Sequence, residues 1–263
     1  MTYKILFLDI DGTILKPDHT YHPKTKEAIK QIQEQGMEVF LATGRPAHEL
    51  SELAEDLNIQ SYIGYNGAYA VYQGSNILDA PMKKDIVLDY IKIAKEHNHE
   101  LILYTSESNY TINVDSPIVK HFTELFQVTN KALYAIHEEM TNYVLGASLI
   151  NVRPEEAYLY QIDDDIRLAD VNVNGLNNCY DVIRLSANKG EAVKVALKHL
   201  DISPQEAIAF GDGMNDKEMF ETVGASFAMG NAHPDVFQFA KYTTTNVEEA
   251  GVYQGLKQLG LVK

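Results

Sequence analysis

Lys4-Ile5-Leu6-Phe7-Leu8-Asp9-Ile10-Asp11-Gly12-Thr13 is an apolar run that ends in two aspartates two positions apart. Leu6, Phe7 and Leu8 read as a strand buried on both faces, the pattern of a parallel sheet covered by helices. Carboxylates at the end of such a strand serve no packing purpose, because charged groups are seldom left buried unless paired or bound to a metal. An open α/β sheet binds ligands in the crevice beyond the carboxyl ends of its strands, where Asp9 and Asp11 fall. The plainer reading, an acidic loop turning at Gly12, leaves two carboxylates without a purpose.

Working outward, Lys16 to His22 is a polar stretch expected as a surface loop or flap. Pro23 then opens a helical pattern with Ala28, Ile29 and Ile32 on one face, closed by Gly36. Met37 to Ala42 is a second buried strand, ending at Thr43-Gly44-Arg45-Pro46, and another helix is expected over roughly His48 to Leu57. Strand, helix, strand, helix at this spacing predicts βαβ units and a parallel sheet. Tyr62 to Tyr65, the dipeptide Asn66-Gly67 and Ala68 to Tyr72 read as a hairpin with a type I′ turn.

The pattern changes at Met82. Helices are expected over Ile86 to Glu96, Ser116 to Phe126 and Glu155 to Asp164, with short strands such as Leu101 to Tyr104 among them. From Lys189 the first pattern resumes: Ala192, Val193, Ala196, Leu197 and Leu200 share a helical face. Ala207 to Phe210 is a strand ending at Gly211-Asp212-Gly213-Met214-Asn215-Asp216, a helix buries Met219, Phe220 and Val223, and Ser226 to Met229 is a last buried strand. The expected fold is α/β, a doubly wound parallel-sheet core (1-81 and 186-263) with an inserted α+β cap domain (82-185).

The 263 residues carry a formal net charge of -15, and 45% of them are apolar. That charge repels phosphate backbones and anionic lipid, so nucleic acid and membrane are excluded as partners. It would also repel an anionic small substrate unless the site holds a cation, which argues for a divalent metal. A lone cysteine, Cys179, permits no intrachain disulfide and fits a reducing compartment. With no basic and apolar leader and no run long enough to span a membrane, a cytoplasmic protein is expected, a monomer or homodimer.

Polar residues stand at three strand ends and one helix start: Asp9 and Asp11, Thr43, Lys189, and Asp212 with Asn215 and Asp216. A doubly wound sheet brings such ends to one crevice. Mg²⁺ takes oxygen ligands, usually one or two carboxylates with substrate phosphate and water, and Asp9 with Asp212 is the natural pair. Lys189 opens a helix, where an ammonium and free backbone N–H groups can share an anion. Such a set suits phosphoryl transfer through an aspartyl-phosphate, with Mg²⁺ and Lys189 neutralising the attacking charge and a second carboxylate moving the proton.

Asp9-Ile10-Asp11-Gly12-Thr13, Thr43-Gly44-Arg45, Lys189-Gly190 and Gly211-Asp212-Gly213-Met214-Asn215-Asp216 together resemble the haloacid dehalogenase superfamily. The long insertion between the second and third motifs resembles the α/β cap of its Cof-type branch. The resemblance implies a Mg²⁺-dependent phosphatase of small phosphorylated metabolites. It implies Asp9 as nucleophile and metal ligand, and Asp11 as general acid/base whose backbone carbonyl reaches the metal. It also implies Asp212 as a metal ligand, Ile10, Thr43, Gly44, Lys189 and Asn215 as phosphate-binding, and Asp216 as support for the metal or Lys189. Asn66, first a turn residue, faces substrate in similar proteins.

Other features read more plainly. Arg45 either contacts a leaving group or pairs at the surface. The nine histidines show no zinc spacing, and Asp163-Asp164-Asp165 reads as a solvated run. Tyr104, Tyr110 and Tyr143 are half-buried sheet residues by default. Asn109-Tyr110-Thr111 matches a glycosylation sequon by chance, and Asp9 to Thr13 fails as a calcium loop because Ile14 and Thr20 stand where glycine and glutamate are needed. A phosphomutase of the same fold and a catalytically idle sugar-phosphate-binding regulator are the alternatives. The two aspartates on one strand and the large insertion argue against a receiver domain.

Overall fold

A computed structural model describes residues 3–125, 133–171 and 177–263. The chain divides into two compact units, one of Met1–Arg45, Ser51–Asp79 and Asn188–Lys263, the other of Pro46–Leu50 and Ala80–Ala187.

In the first unit, β1 (Ile5–Leu8) has all four side chains buried, as an all-apolar central strand requires. Helix α1 (Pro23–Glu34) starts where proline's missing N–H does no harm, and the His22 ring accepts the Lys24 N–H at 3.1 Å. It buries Thr25, Ala28, Ile29 and Ile32 and ends before Gly36. Then come β2 (Glu38–Ala42), the short α2 (Ser51–Asp56), β3 (Ser61–Gly64), β4 (Tyr69–Tyr72) and β5 (Ser75–Asp79). The single helix expected over 48–57 is broken: Ala47–Glu49 is a 3₁₀ turn closed by the Leu50 N–H on the Ala47 carbonyl, and α2 begins after it.

The hairpin of β3 and β4 is present, but Gly64 pairs with Tyr69, so its loop has four residues rather than two. Tyr65 and Asn66 both adopt positive φ, and the Tyr65 and Asn66 N–H groups bond the Arg45 and Thr43 carbonyls. Those tertiary bonds, absent from a free hairpin, replace the type I′ turn.

The second unit holds α3 (Lys84–His97), β6 (Glu100–Tyr104), β7 (Asn109–Thr111), α4 (Pro117–Leu125), β8 (Leu133–Ala135), β9 (Gly146–Ile150), β10 (Ile166–Asp170) and β11 (Cys179–Arg184). Its sheet runs β10-β11-β9-β6-β7-β8, antiparallel except for β7 with β8. Val87, Tyr90 and Ala94 of α3 pack with Leu101, Leu103 and Leu149, whereas Val119 and Phe122 of α4 pack with Ile102 and Ile150. The period-2 alternation of β6 thus buries both of its faces. Phe126, the expected end of α4, lies outside the described residues. The helix expected over 155–164 is a 3₁₀ segment, Pro154–Tyr160. It closes with the Gln161 N–H on the Tyr158 carbonyl, and just beyond it Asp163 pairs with Lys83 at 2.8 Å and accepts the Asp165 N–H at 2.9 Å, a local turn in place of a further helical turn.

The chain then returns to the first unit with α5 (Lys189–His199), β12 (Ala207–Gly211), α6 (Lys217–Thr222), β13 (Ala225–Ala228), β14 (Tyr242–Thr243) and α7 (Gly251–Gln258). The sheet order is β14-β13-β12-β1-β2-β3-β4-β5, parallel from β14 through β3. Ile5, Phe7, Phe40 and Ala209 face α5 and α6, packing on Ala192, Val193, Ala196, Met219 and Phe220. On the opposite face, Gly255 of α7 lies against the stacked rings of Phe210 and Phe227. The order reverses at β1, flanked by β2 and β12, and this switch point is where a doubly wound sheet opens its crevice.

Candidate active site

The register Leu8↔Leu41 and Leu8↔Phe210 ends three adjacent strands level with one another. Asp9, Thr43 and Asp212 follow those ends. Lys189 approaches from the start of α5, where the Asn188 side chain caps the helix by accepting the Glu191 N–H at 3.0 Å.

Lys189 is the centre of the arrangement. Its ammonium donates to Asp9 Oδ1 and to Asp216 Oδ1, both at 2.6 Å, and its side chain is fully buried. Asp216, also fully buried, accepts the N–H groups of Asp212 and Gly213 at 3.0 Å on its other oxygen. The loop after β12 is thereby folded around the carboxylate that holds the lysine. Carboxylate oxygens of Asp9, Asp212 and Asp216 all lie within 4.8 Å of one another.

Lys189 thus bridges two carboxylates, and a third, Asp212, lies close by without bonding it. Burial pushes the Asp9 carboxyl well above the usual range, although Lys189 pulls the other way. Burial and then the nearby Asp216 carboxylate push Asp212 up to about 6. Burial alone would lower the Lys189 ammonium, but Asp216 and Asp9 outweigh it and raise it. Negative charge on Asp9 and Asp212 is therefore costly at this site. A hard divalent cation with oxygen ligands suits this donor set, and it would bring the charge that Lys189 alone cannot.

That surplus has a measurable consequence. Between about pH 4 and about pH 6 the folded chain retains a proton on Asp212 that the unfolded chain has released. The native state then binds more protons, so this group's contribution to stability falls as pH rises through the window. A cation takes the proton's place and abolishes the fall. We expect the melting temperature difference between metal-loaded and metal-free protein to widen from about pH 4 to about pH 6, as thermal scans across that range would show.

Asp11 does not join the cluster. Its side chain is exposed, and both oxygens accept from Arg45, with Nε at 2.7 Å. Ile10 is buried between the two aspartates, and its carbonyl accepts the Ile14 and Leu15 N–H groups at 2.9 and 2.8 Å. Thr43 is buried, its hydroxyl accepting the Arg45 N–H at 3.1 Å. A Cβ on Gly44 would stand 2.9 Å from Asn66 Oδ1, and that oxygen accepts from Asn215 Nδ2 at 3.0 Å. Asn66 therefore ties the turn after β3 to the loop after β12.

Two further residues complete the site: Thr13, within the first motif but given no role there, and Asn231, outside all four motifs. Thr13 Oγ1 donates to Asp212 Oδ1 at 3.2 Å, and Asn231 Nδ2 approaches Asp212 Oδ2 at 3.4 Å. Asn231 follows β13, so the signal used for the other residues, a polar group just beyond a buried strand, was available for it. Gly12 lies beneath the same carboxylate with φ +78°, and a Cβ there would fall 2.1 Å from Asp212 Oδ2.

Residues 6–256 match the haloacid dehalogenase-like hydrolase family. The chain belongs to that family, in agreement with the four motifs, and is a hydrolase with an α/β core and an inserted α+β unit. YkrA of Bacillus subtilis (strain 168) is 30% identical over 267 residues covering all of both chains, and its name places it provisionally among phosphatases. A protein of solved structure from Geobacillus kaustophilus HTA426 is 29% identical with a TM-score of 0.88, over 99% of this chain and 100% of its own. The HAD subclass IIB sugar phosphatase BT4131 is 25% identical with a TM-score of 0.80, over 98% of this chain and 100% of its own. No helix among the described residues is long and apolar enough to cross a membrane.

Proposed function

We propose that the chain is a Mg²⁺-dependent phosphatase that hydrolyses small phosphorylated metabolites, sugar phosphates among them, through an aspartyl-phosphate on Asp9. The observation that supports it most is the gathering of Asp9, Asp212 and Asp216 at the switch point of the sheet, with the buried Lys189 ammonium bridging Asp9 and Asp216. The sugar phosphatase BT4131 supports the substrate class.

In this reading an Asp9 oxygen attacks phosphorus and the bond to the leaving oxygen breaks. Asp11 supplies the proton that the leaving alkoxide takes. A water then attacks the aspartyl-phosphate, losing its proton to Asp11, and the bond from phosphorus to Asp9 breaks. Lys189, the hydroxyl of Thr43, the N–H groups of Ile10 and Gly44, and Asn215 hold the phosphoryl oxygens as charge moves onto them. Asp216 keeps Lys189 in place. A cation held by Asp9, Asp212 and the Asp11 carbonyl would offset the repulsion between the attacking carboxylate and the phosphate. Arg45 engages Asp11, so proton transfer requires that pair to part. A cytoplasmic location belongs to the same reading.

The test is phosphate release from sugar phosphates, nucleotides and p-nitrophenyl phosphate, with Mg²⁺ and with EDTA. Metal-dependent release is expected, with a ranking that identifies the substrate class. An isomeric sugar phosphate as product would instead indicate a mutase. Silence with folded protein would indicate a binding role.

A further inference from the structure

Asp212 is held from both sides by groups that belong to other strands' loops. Thr13, buried after β1, donates its hydroxyl to Oδ1 at 3.2 Å. Asn231, after β13, points its amide nitrogen at Oδ2 at 3.4 Å and donates to the Gly12 carbonyl at 2.8 Å. The amide oxygen of the same Asn231 accepts the Val247 N–H at 2.8 Å. One side chain therefore joins the turn after β1, the loop after β12 and the segment after β14.

That last segment is itself anchored. Gly230 donates to the Thr245 carbonyl at 3.1 Å, the Thr244 hydroxyl to the Gly251 carbonyl at 2.7 Å, and the Asn246 side chain accepts the Glu249 N–H at 2.9 Å. Asn231 is thus tied to backbone, and it transmits that fixity to the carboxylate. Gly12 lies close beneath the carboxylate, where a Cβ would fall 2.1 Å from Oδ2.

We infer that Thr13 and Asn231 are positioning residues that clamp the Asp212 carboxylate in the orientation a divalent cation needs, with Asn231 relaying support from the 244–251 segment. The inference rests on the proposed metal site. A carboxylate free to rotate must be ordered when the cation arrives, whereas a clamped one is ordered beforehand; partners of this kind are worth roughly 10- to 100-fold in metal affinity. Neither residue touches the reacting phosphoryl group in this scheme. Their loss should weaken the cation rather than alter the chemistry.

The experiment is calorimetric titration of the full-length protein with Mg²⁺ alone, free of substrate. It compares wild type, Asp212→Asn, Thr13→Val, Thr13→Ser and Asn231→Ala, with the melting temperature of each as a check on folding. Thr13→Val is near-isosteric and removes only the hydroxyl, and Thr13→Ser restores it. Thr13→Val and Asn231→Ala should each weaken Mg²⁺ binding about 10-fold or more, and Thr13→Ser should stay within about threefold of wild type. In turnover assays the loss should appear as a higher Mg²⁺ requirement, with the rate recovered at saturating metal. If wild type and Asp212→Asn bind Mg²⁺ equally, the metal-site reading fails and the clamp with it. If Asp212→Asn loses binding while folded Thr13→Val and Asn231→Ala keep it, the site stands and the clamp is overturned. Should Asn231→Ala fail to fold, the Thr13→Val and Thr13→Ser pair decides in the same way.

Discussion

Asp9→Asn lowers phosphate release by at least about 10³-fold and leaves the melting temperature at or above that of wild type. The amide is neither charged nor nucleophilic, so no aspartyl-phosphate forms on it. Its stability follows from the electrostatics of the site. Burial already favours the uncharged form of Asp9, and Lys189 retains Asp216 at 2.6 Å when Asp9 is neutralised. A neutral isostere therefore removes a charge that folding had to desolvate, and the buried ion pair survives. Steady-state release of phosphate alongside a thermal scan checks both halves. A variant within tenfold of wild type would place the nucleophile elsewhere.

Lys189→Met is expected to abolish activity and to destabilise the fold by about 3–5 kcal/mol near neutral pH. Methionine fills the buried volume, so the loss is electrostatic. Asp216, wholly buried, is left without its counter-charge, and Asp9 loses the same partner. Asp9, already pushed up by burial, loses the ammonium that pulled it down and keeps its proton to higher pH in the native state than in the unfolded chain, so the variant's stability falls as pH rises above about 4. Denaturant unfolding at two pH values reads this directly. The double variant Lys189→Met/Asp216→Asn should regain stability and remain inactive, because the pair is removed whole rather than broken. Equal stability of Lys189→Met and wild type at neutral pH would show that the ammonium contributes nothing to folding.

Much of the core was legible because its strands are apolar throughout and its chemistry lies where they stop. Ile5 to Leu8, Phe40 to Ala42 and Ala207 to Gly211 can only be central strands, and each is followed by a polar residue that packing does not explain. The segments 48–57 and 155–164 are less legible, since apolar periodicity does not register a 3₁₀ turn closed at Leu50 or a 3₁₀ segment closed at Gln161. The turn at Asn66-Gly67 departs from the two-residue type for a related reason. The Tyr65 and Asn66 N–H groups bond the carbonyls of Arg45 and Thr43, and no local pattern records that.

By itself the sequence determined that the chain is a haloacid dehalogenase-like α/β protein with an acidic, lysine-bearing crevice, because burial and strand ends are written in residue type and spacing. Tertiary structure alone decided the partners within it. Lys189 bridges Asp9 and Asp216, Arg45 takes Asp11, and Asn231 reaches Asp212 and Gly12 across 19 and 219 positions of chain. Such pairings depend on which strand lies beside which, and that order is set by the packing of the whole sheet rather than by any segment of it.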